Sequence, residues 1–101
     1  MKQWRVAQIG CGAMAAVHAD QIAQLPEARM VLAVDLNDAR GRQFGARYGF
    51  ARTSTRWEDA AEAEDVDIVV VATYADTHHP ICTRLLESGK HVICEKPYSH
   101  K

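Results

Sequence analysis

The chain has 101 residues, of which 48% are hydrophobic and 25% charged, the balance of one small soluble domain with a modest core. Its net charge of −1 gives no electrostatic reason to expect a nucleic acid or an anionic membrane as a partner. The N-terminus does not resemble a signal peptide, and no apolar run approaches the roughly 20 residues that a membrane helix needs.

The first predicted unit is a strand, a glycine turn and a helix. The strand covers roughly Arg5–Ile9 and leads into the turn Gly10-Cys11-Gly12-Ala13-Met14-Ala15. A helix then covers roughly Ala13–Leu25 and stops before Pro26. Its buried face is predicted to consist of Ala15, His18, Ala19, Ile22 and Leu25.

The glycine turn has the pattern by which a backbone approaches a diphosphate at a helix start. Gly10 permits the tight turn, Gly12 lets a phosphate come close, and Ala15 stands where helix and strand pack tightly. Exposed N–H groups and the helix dipole then attract the anion. Asp35 follows Gly12 at close to the roughly 20 residues expected for an acid that binds a ribose. The pattern predicts a dinucleotide site; the alternative is an ordinary strand–turn–helix.

The second predicted unit is a strand over roughly Met30–Val34, which ends directly on Asp35, and a helix that runs to about Tyr48. Asn37 or Asp38 can cap the start of this helix with a side-chain oxygen.

Three glycines belong to this helix or its end. Gly49 suits a C-terminal stop. Gly41 and Gly45 lie inside the helix and each cost about 1 kcal/mol relative to alanine. Close packing against a neighbouring element is one explanation for them that the sequence leaves open.

A short edge strand over Phe50–Arg52 and a short helix come next. Thr55 and Glu58 have the spacing of a capping box, and Trp57 is predicted to anchor the helix in the core. The clearest strand is Asp67–Ala72, which is apolar on both faces as a central parallel strand should be.

The last predicted unit is a helix and the strand His91–Cys94. Thr77 can cap the helix, with Pro80 in its first turn, and Gly89 ends it. The buried stripe of this helix is predicted to be Ile81, Cys82, Leu85 and Leu86.

Alternating strands and helices predict an α/β fold of the Rossmann type, a doubly wound parallel sheet of five strands in the order 3-2-1-4-5. A ligand is expected at the switch point above strands one and four. The turn Thr73–His78 and the segment after the fifth strand should both face that crevice. Lys96, held extended by Pro97, would then project into the space where a nicotinamide and a substrate meet.

The chain resembles the N-terminal nucleotide-binding domain of the glucose–fructose oxidoreductase / inositol dehydrogenase (Gfo/Idh/MocA) family over essentially all its residues. The most specific match is Gly89-Lys90-His91-Val92-Ile93-Cys94-Glu95-Lys96-Pro97. Thr73 and His78 match the family's Thr-Pro-Asn-x-x-His turn, in which Tyr74 and Ala75 depart from the pattern and put the details of nicotinamide binding in question. The glycine turn and Asp35 match its phosphate turn and ribose acid.

This resemblance implies an NAD(P)-dependent oxidoreductase that moves a hydride between nicotinamide and a sugar, polyol or related hydroxy compound. Lys96 matches the catalytic lysine that contacts substrate and assists proton transfer. The cofactor-binding residues it implies are Gly10, Gly12, Ala13, Met14, Asp35, Thr73, Tyr74, His78, Glu95 and Lys96.

Family members continue into a second α/β domain with an Asp-x-x-x-His pair. We therefore expect residues 1–101 to be an N-terminal fragment, inactive alone, that lacks the substrate domain. We also expect a homo-oligomer, because an uncovered fifth strand is an edge that can pair with another copy. A non-catalytic dinucleotide sensor or regulatory module is the alternative function.

Asp35 favours NAD over NADP, since its carboxylate can accept both ribose hydroxyls and repels a 2′-phosphate. Arg40, one turn into the next helix, is the counter-evidence, although we expect its side chain to be solvated. Lys96 without the resemblance reads as a structural lysine at a strand end.

The three cysteines, Cys11, Cys82 and Cys94, are odd in number and lack zinc-site spacing. We therefore predict no metal and a reducing, cytoplasmic location, with Cys11 as a small filler in the glycine turn. The adjacent His78 and His79 have no third ligand at suitable spacing.

Overall fold

The computed structural model describes residues 3–11, 19–72 and 75–94, without the side chains of residues 75–79 and 94. Its strands form one all-parallel sheet in the order β3-β2-β1-β4-β5, which confirms the predicted Rossmann-type α/β topology. The strands are β1 (Trp4–Ile9), β2 (Ala28–Val34), β3 (Arg52–Ser54), β4 (Ile68–Val71) and β5 (His91–Cys94).

Helices cover both faces of this sheet. Residues 19–23 are helical and are called α1, and the others are α2 (Asp38–Tyr48), α3 (Glu58–Glu62) and α4 (Ala75–Glu87). Within the described ranges, no helix has both the length and the apolar character that crossing a bilayer demands.

The core is divided in two by the sheet. Alternate residues of each strand point to opposite faces, so β1 supplies Ala7 and Ile9 to one cluster and Val6 to the other. The first cluster includes Ile81 and Leu85 of α4, and the second includes Phe44 of α2. Strands buried on both faces are what a central parallel sheet requires.

Helix α2 begins and ends as its sequence predicts. The Asn37 side chain accepts a hydrogen bond from the backbone N–H of Arg40, and Gly49 ends the helix with a φ of 75°. Close packing explains Gly45, because a Cβ there would lie 2.7 Å from Cγ2 of Thr53. A Cβ on Gly41 would lie 3.5 Å from Cβ of Asp35, an ordinary contact.

The edge strand lies two residues further along than predicted. Phe50 is buried, and its N–H donates to the carbonyl of Gly45, so it belongs to the turn that closes α2. The strand then pairs with β2 over Arg52–Ser54.

The predicted capping box is wrong. Helix α3 begins at Glu58, and no side chain caps its first N–H groups. Ser54 instead accepts the N–H of Arg56 at 3.0 Å, which makes the preceding residues a turn. Trp57 does pack against the first core cluster, as predicted.

Three further details of the helices differ from prediction. Helix α4 starts at Ala75, so Thr77 and Pro80 lie inside it. Leu86 is 62% exposed because it is rotated by about 100° from the buried Leu85 beside it. Leu25 lies beyond the helical residues 19–23 and is also exposed.

Candidate functional site

The carboxyl ends of the strands meet at one edge of the sheet. The register pairs Ile9 of β1 with Val34 and with Val71, and Val71 with Cys94. Hydrogen bonds continue the pairing one residue further. The N–H of Gly10 donates to the carbonyl of Val34 at 2.7 Å, and the N–H of Ala72 donates to the carbonyl of Ile9 at 2.8 Å. The residues that follow these strands therefore lie side by side.

Gly10 makes the turn out of β1 with a φ of 91°, a conformation that side chains disfavour. The buried side chain of Gln8 supports this turn, since its Nε2 donates to the carbonyl of Gly10 at 3.1 Å. An amide within the apolar run Val6–Ile9 was the sequence signal for this contact, and our sequence reasoning missed it.

Asp35, directly after β2, has a buried carboxylate that joins two segments of backbone. The N–H of Cys11 donates to Oδ2 and the N–H of Asn37 donates to Oδ1, each at 2.8 Å. The aspartate thus ties the glycine turn to the start of α2. Its own N–H donates to the carbonyl of Ser54 at 3.1 Å, which fixes its main chain against β3.

Arg40 makes a bidentate ion pair with Asp35. Its Nε lies 3.1 Å from Oδ2 and its Nη2 lies 3.2 Å from Oδ1. The arginine side chain is 56% exposed and the aspartate side chain 6%. The expectation of a merely solvated arginine is therefore wrong: the Asn37 cap holds the first turn of α2 so that Arg40 reaches back over Asp35.

The charges in this cluster are set by burial and hydrogen bonding. Burial alone would raise the pKa of Asp35, but the N–H groups of Asn37 and Cys11 and the guanidinium of Arg40 outweigh it and lower the pKa. Burial and the nearby Asp35 charge raise the pKa of Cys11 to about 12. The Cys11 thiol, which donates to the carbonyl of Val34 at 3.4 Å, is therefore a packed, protonated group.

Of the predicted site residues, Gly10 and Asp35 are described and are brought together at this edge. The backbone of His78 lies in the first turn of α4. The others lie outside the described residues: Gly12, Ala13, Met14, Thr73, Tyr74, Glu95 and Lys96.

Comparison with known proteins identifies this arrangement. Residues 4–101 match the model of the Gfo/Idh/MocA group, described as an oxidoreductase family with a NAD-binding Rossmann fold. The chain belongs to this family. The predicted family resemblance is thereby confirmed over nearly the whole sequence.

Relatives with assigned activities are similar over the same span. The chain is 40% identical over 94 residues to an inositol 2-dehydrogenase of Rhodococcus erythropolis. The aligned region covers 92% of this chain and 27% of the relative. Among solved structures, GenD2 from gentamicin A biosynthesis in complex with NAD is 33% identical, with a TM-score of 0.90 over 95% of this chain and 27% of that one.

A levoglucosan dehydrogenase in complex with NADH and L-sorbose also has a TM-score of 0.90, at 27% identity, over 95% of this chain and 28% of that one. The chain therefore spans between a quarter and a third of the length of these relatives.

Proposed function

We propose that this chain is the coenzyme-binding part of a NAD-dependent dehydrogenase that acts on a CH–OH group of a sugar or polyol. The similarity to an inositol 2-dehydrogenase and to a levoglucosan dehydrogenase supports this substrate class. The greater length of those relatives supports a second domain, outside residues 1–101, that completes the substrate pocket.

The observation that carries the proposal is the buried carboxylate of Asp35 at the carboxyl end of β2, bonded to the glycine turn. In a Rossmann fold an acid at this place accepts the hydroxyls of the adenosine ribose. The pKa of Asp35 is lowered, so the group is ionised at neutral pH and both of its oxygens act only as acceptors. The described residues thus fit the adenosine half of a dinucleotide.

The phosphate-binding part of the site follows Gly10. The positive φ of Gly10 turns the chain sharply at the edge of the sheet. The N–H of Cys11 is bonded to Asp35, so we assign the diphosphate to N–H groups beyond Cys11. We assign Gly12, Ala13 and Met14 to this role, since they continue the Gly-x-Gly-x-x-Ala pattern.

The reacting end of the site is assigned to the segments after β4 and β5. A bound nicotinamide coenzyme supplies the hydride acceptor or donor. We assign Thr73, Tyr74, His78 and Glu95 to its binding, and Lys96 to the substrate. The ammonium group of Lys96 would donate a hydrogen bond to the substrate hydroxyl oxygen and favour its loss of a proton. The pairing of Val71 with Cys94 supports this assignment, because both segments leave the sheet at one edge.

We also propose a cytoplasmic homo-oligomer. Cys11 and Cys82 are both thiols, which suits a reducing compartment. In the described part of the sheet β5 pairs with β4 alone, and an edge strand of this kind can pair with a second copy.

Substitution of Asp35 tests the assignment of the ribose site. In the protein that carries this chain, Asp35→Ser should weaken NADH binding at least tenfold and shift preference toward NADPH, because the ribose acceptor and the negative charge are both removed. Asp38→Ser is the matched control, since Asp38 is three residues away but exposed and paired with Arg42. Calorimetric titration measures both; unchanged NADH affinity in Asp35→Ser would show that Asp35 does not bind the ribose.

Turnover separates an enzyme from a binding module. The full-length protein should oxidise a polyol such as inositol with NAD, and Lys96→Ala should abolish turnover while NADH still binds. A protein that binds NADH and turns over no polyol or sugar would instead be a dinucleotide sensor.

A further inference from the structure

The Asp35 carboxylate has no acceptor position left for a ribose in the structure as it stands. Two oxygens offer about four lone-pair positions. Four N–H groups use them: Cys11 N and Arg40 Nε on Oδ2, and Asn37 N and Arg40 Nη2 on Oδ1. Two ribose hydroxyls that donate to this carboxylate therefore require two of these donors to leave.

The two backbone donors are fixed by further contacts. Cys11 is 5% exposed and its thiol is bonded to β2, while Asn37 caps α2. Their hydrogen bonds to Asp35 are also the shorter ones, at 2.8 Å. The Arg40 side chain is more than half exposed, and its guanidinium is held at 3.1 and 3.2 Å and can leave by side-chain rotation alone.

We propose that Arg40 is a specificity-determining residue that occupies the ribose-binding oxygens of Asp35 in the free protein. Its guanidinium releases both oxygens when the ribose hydroxyls of NAD bind. This inference rests on the proposed function, because it requires Asp35 to be the ribose acid.

The Arg40 side chain also offers a cationic partner to the 2′-phosphate of NADP, which Asp35 repels. A 2′-phosphate beside the Asp35 carboxylate is repelled, but a guanidinium between two anions binds both, and its planar fork suits a phosphate as well as a carboxylate. Arg40 therefore costs the protein affinity for NAD and adds affinity for NADP. The chain is expected to discriminate between the coenzymes less sharply than Asp35 alone would dictate.

The test is to remove the guanidinium and measure both coenzymes. Arg40→Met in the full protein should bind NADH at least as tightly as the wild type and NADPH at least tenfold more weakly. Arg42→Met is the matched control: it removes the same charge from the same helix, but Arg42 is 72% exposed and pairs with Asp38 at 2.8 Å. The control should leave the ratio of the two dissociation constants within about twofold.

The results separate this inference from the proposed function. If the wild type binds neither NADH nor NADPH, the proposed function itself fails. If the wild type binds NADH but Arg40→Met weakens both coenzymes equally, or changes neither, Arg40 is not a specificity determinant.

A second measurement does not depend on the stability of the variant. The Nε–H resonance of Arg40 in the nitrogen-15 spectrum of the wild type should shift and exchange faster with water when NADH is added, because its carboxylate partner is lost. A resonance that keeps its position and its protection on saturation with NADH would show that the ion pair persists, and would overturn the proposal.

Discussion

Two bidentate arginine–aspartate pairs lie at opposite ends of the sheet. At the amino end, Arg5 of β1 places Nε and Nη2 at 3.0 and 2.9 Å from the carboxylate of Asp67, the residue before β4. At the carboxyl end, Nε and Nη2 of Arg40 lie 3.1 and 3.2 Å from the carboxylate oxygens of Asp35. The chemistry of the two pairs is the same, but what surrounds each pair is different.

The amino-end pair is part of the strand pairing. The backbone N–H of Arg5 also donates to Asp67 Oδ2 at 2.9 Å, and the N–H of Asp67 donates back to the carbonyl of Arg5 at 2.8 Å. Nearby, Lys90 Nζ donates to the carbonyl of Val66 at 2.9 Å and to that of Ala63. These contacts join adjacent chain segments, so the cluster fixes where the strands begin.

The carboxyl-end pair joins a buried acid to a side chain that is more than half exposed. Backbone donors hold Asp35 in place, whereas Arg40 contributes only its flexible side chain to the carboxylate. An ion pair that links strands maintains the fold, while one with a displaceable partner leaves an acceptor for a ligand. We therefore expect substitutions of the amino-end pair to affect stability alone, and substitutions of the carboxyl-end pair to affect coenzyme binding as well.

The amino end should respond to substitution with a loss of stability alone. Asp67→Ala leaves the N–H of Arg5 without its carboxylate and should lower the free energy of unfolding by about 2–3 kcal/mol. NADH affinity should stay within twofold, measured by urea unfolding and by titration. Asp38→Ala, which removes an exposed helix ion pair, is the control and should cost less than about 0.5 kcal/mol. A large loss of NADH affinity in Asp67→Ala would break the contrast.

The glycines of α2 sharpen the contrast within one helix. Gly45→Ala should destabilise the protein by about 1–2 kcal/mol, because its Cβ would overlap the Thr53 side chain and force β3 away. Gly41→Ala, with only ordinary contacts to Asp35, should stabilise it by about 0.5–1 kcal/mol through helix propensity. Thermal and urea unfolding of both variants measure the difference, and equal effects would contradict the packing explanation.

The smallest expected effect is on how the free energy of unfolding falls at low pH. The pKa of Asp35 is lowered in the folded state, so its contribution is full above the ordinary aspartate pKa of about 3.9 and is lost as pH falls through the native value. Asp35→Asn should flatten the fall in unfolding free energy below about pH 4.

Asp65 offers a control for that titration. Its hydrogen bond to Arg52 lowers its pKa to about 2, but both side chains are nearly half exposed. In 1 M salt charges are screened within about 3 Å. The contribution of Asp65 to the loss of unfolding free energy in acid should therefore shrink, while the contribution of the buried Asp35 should persist. If salt removed the contribution of Asp35 as completely as that of Asp65, the Asp35 carboxylate would be solvated.

Local sequence patterns were sufficient for the strands other than β3 and for the ends of α2. Asn37 caps the helix and Gly49 stops it as predicted, because capping depends on residues only a few positions apart. The β5 strand His91–Cys94 has its predicted bounds. The edge strand and the start of α3 were misplaced, because turns occupy the residues assigned to them: Phe50 donates back to Gly45 at the end of α2, and Ser54 accepts the N–H of Arg56.

In the candidate site, too, some features could be predicted from the sequence and others could not. Spacing alone singled out Gly10 and Asp35, since the Gly-rich turn and the acid after the second strand are sequence features. That Cys11 donates its N–H to Asp35, and that Arg40 covers both carboxylate oxygens, required the folded chain. The sequence by itself determined the fold, the family and the acid, because periodicity and short motifs act locally. Only the tertiary structure brought Cys11 to that acid, because hydrogen bonds between residues distant along the chain form only once the strands and helices pack.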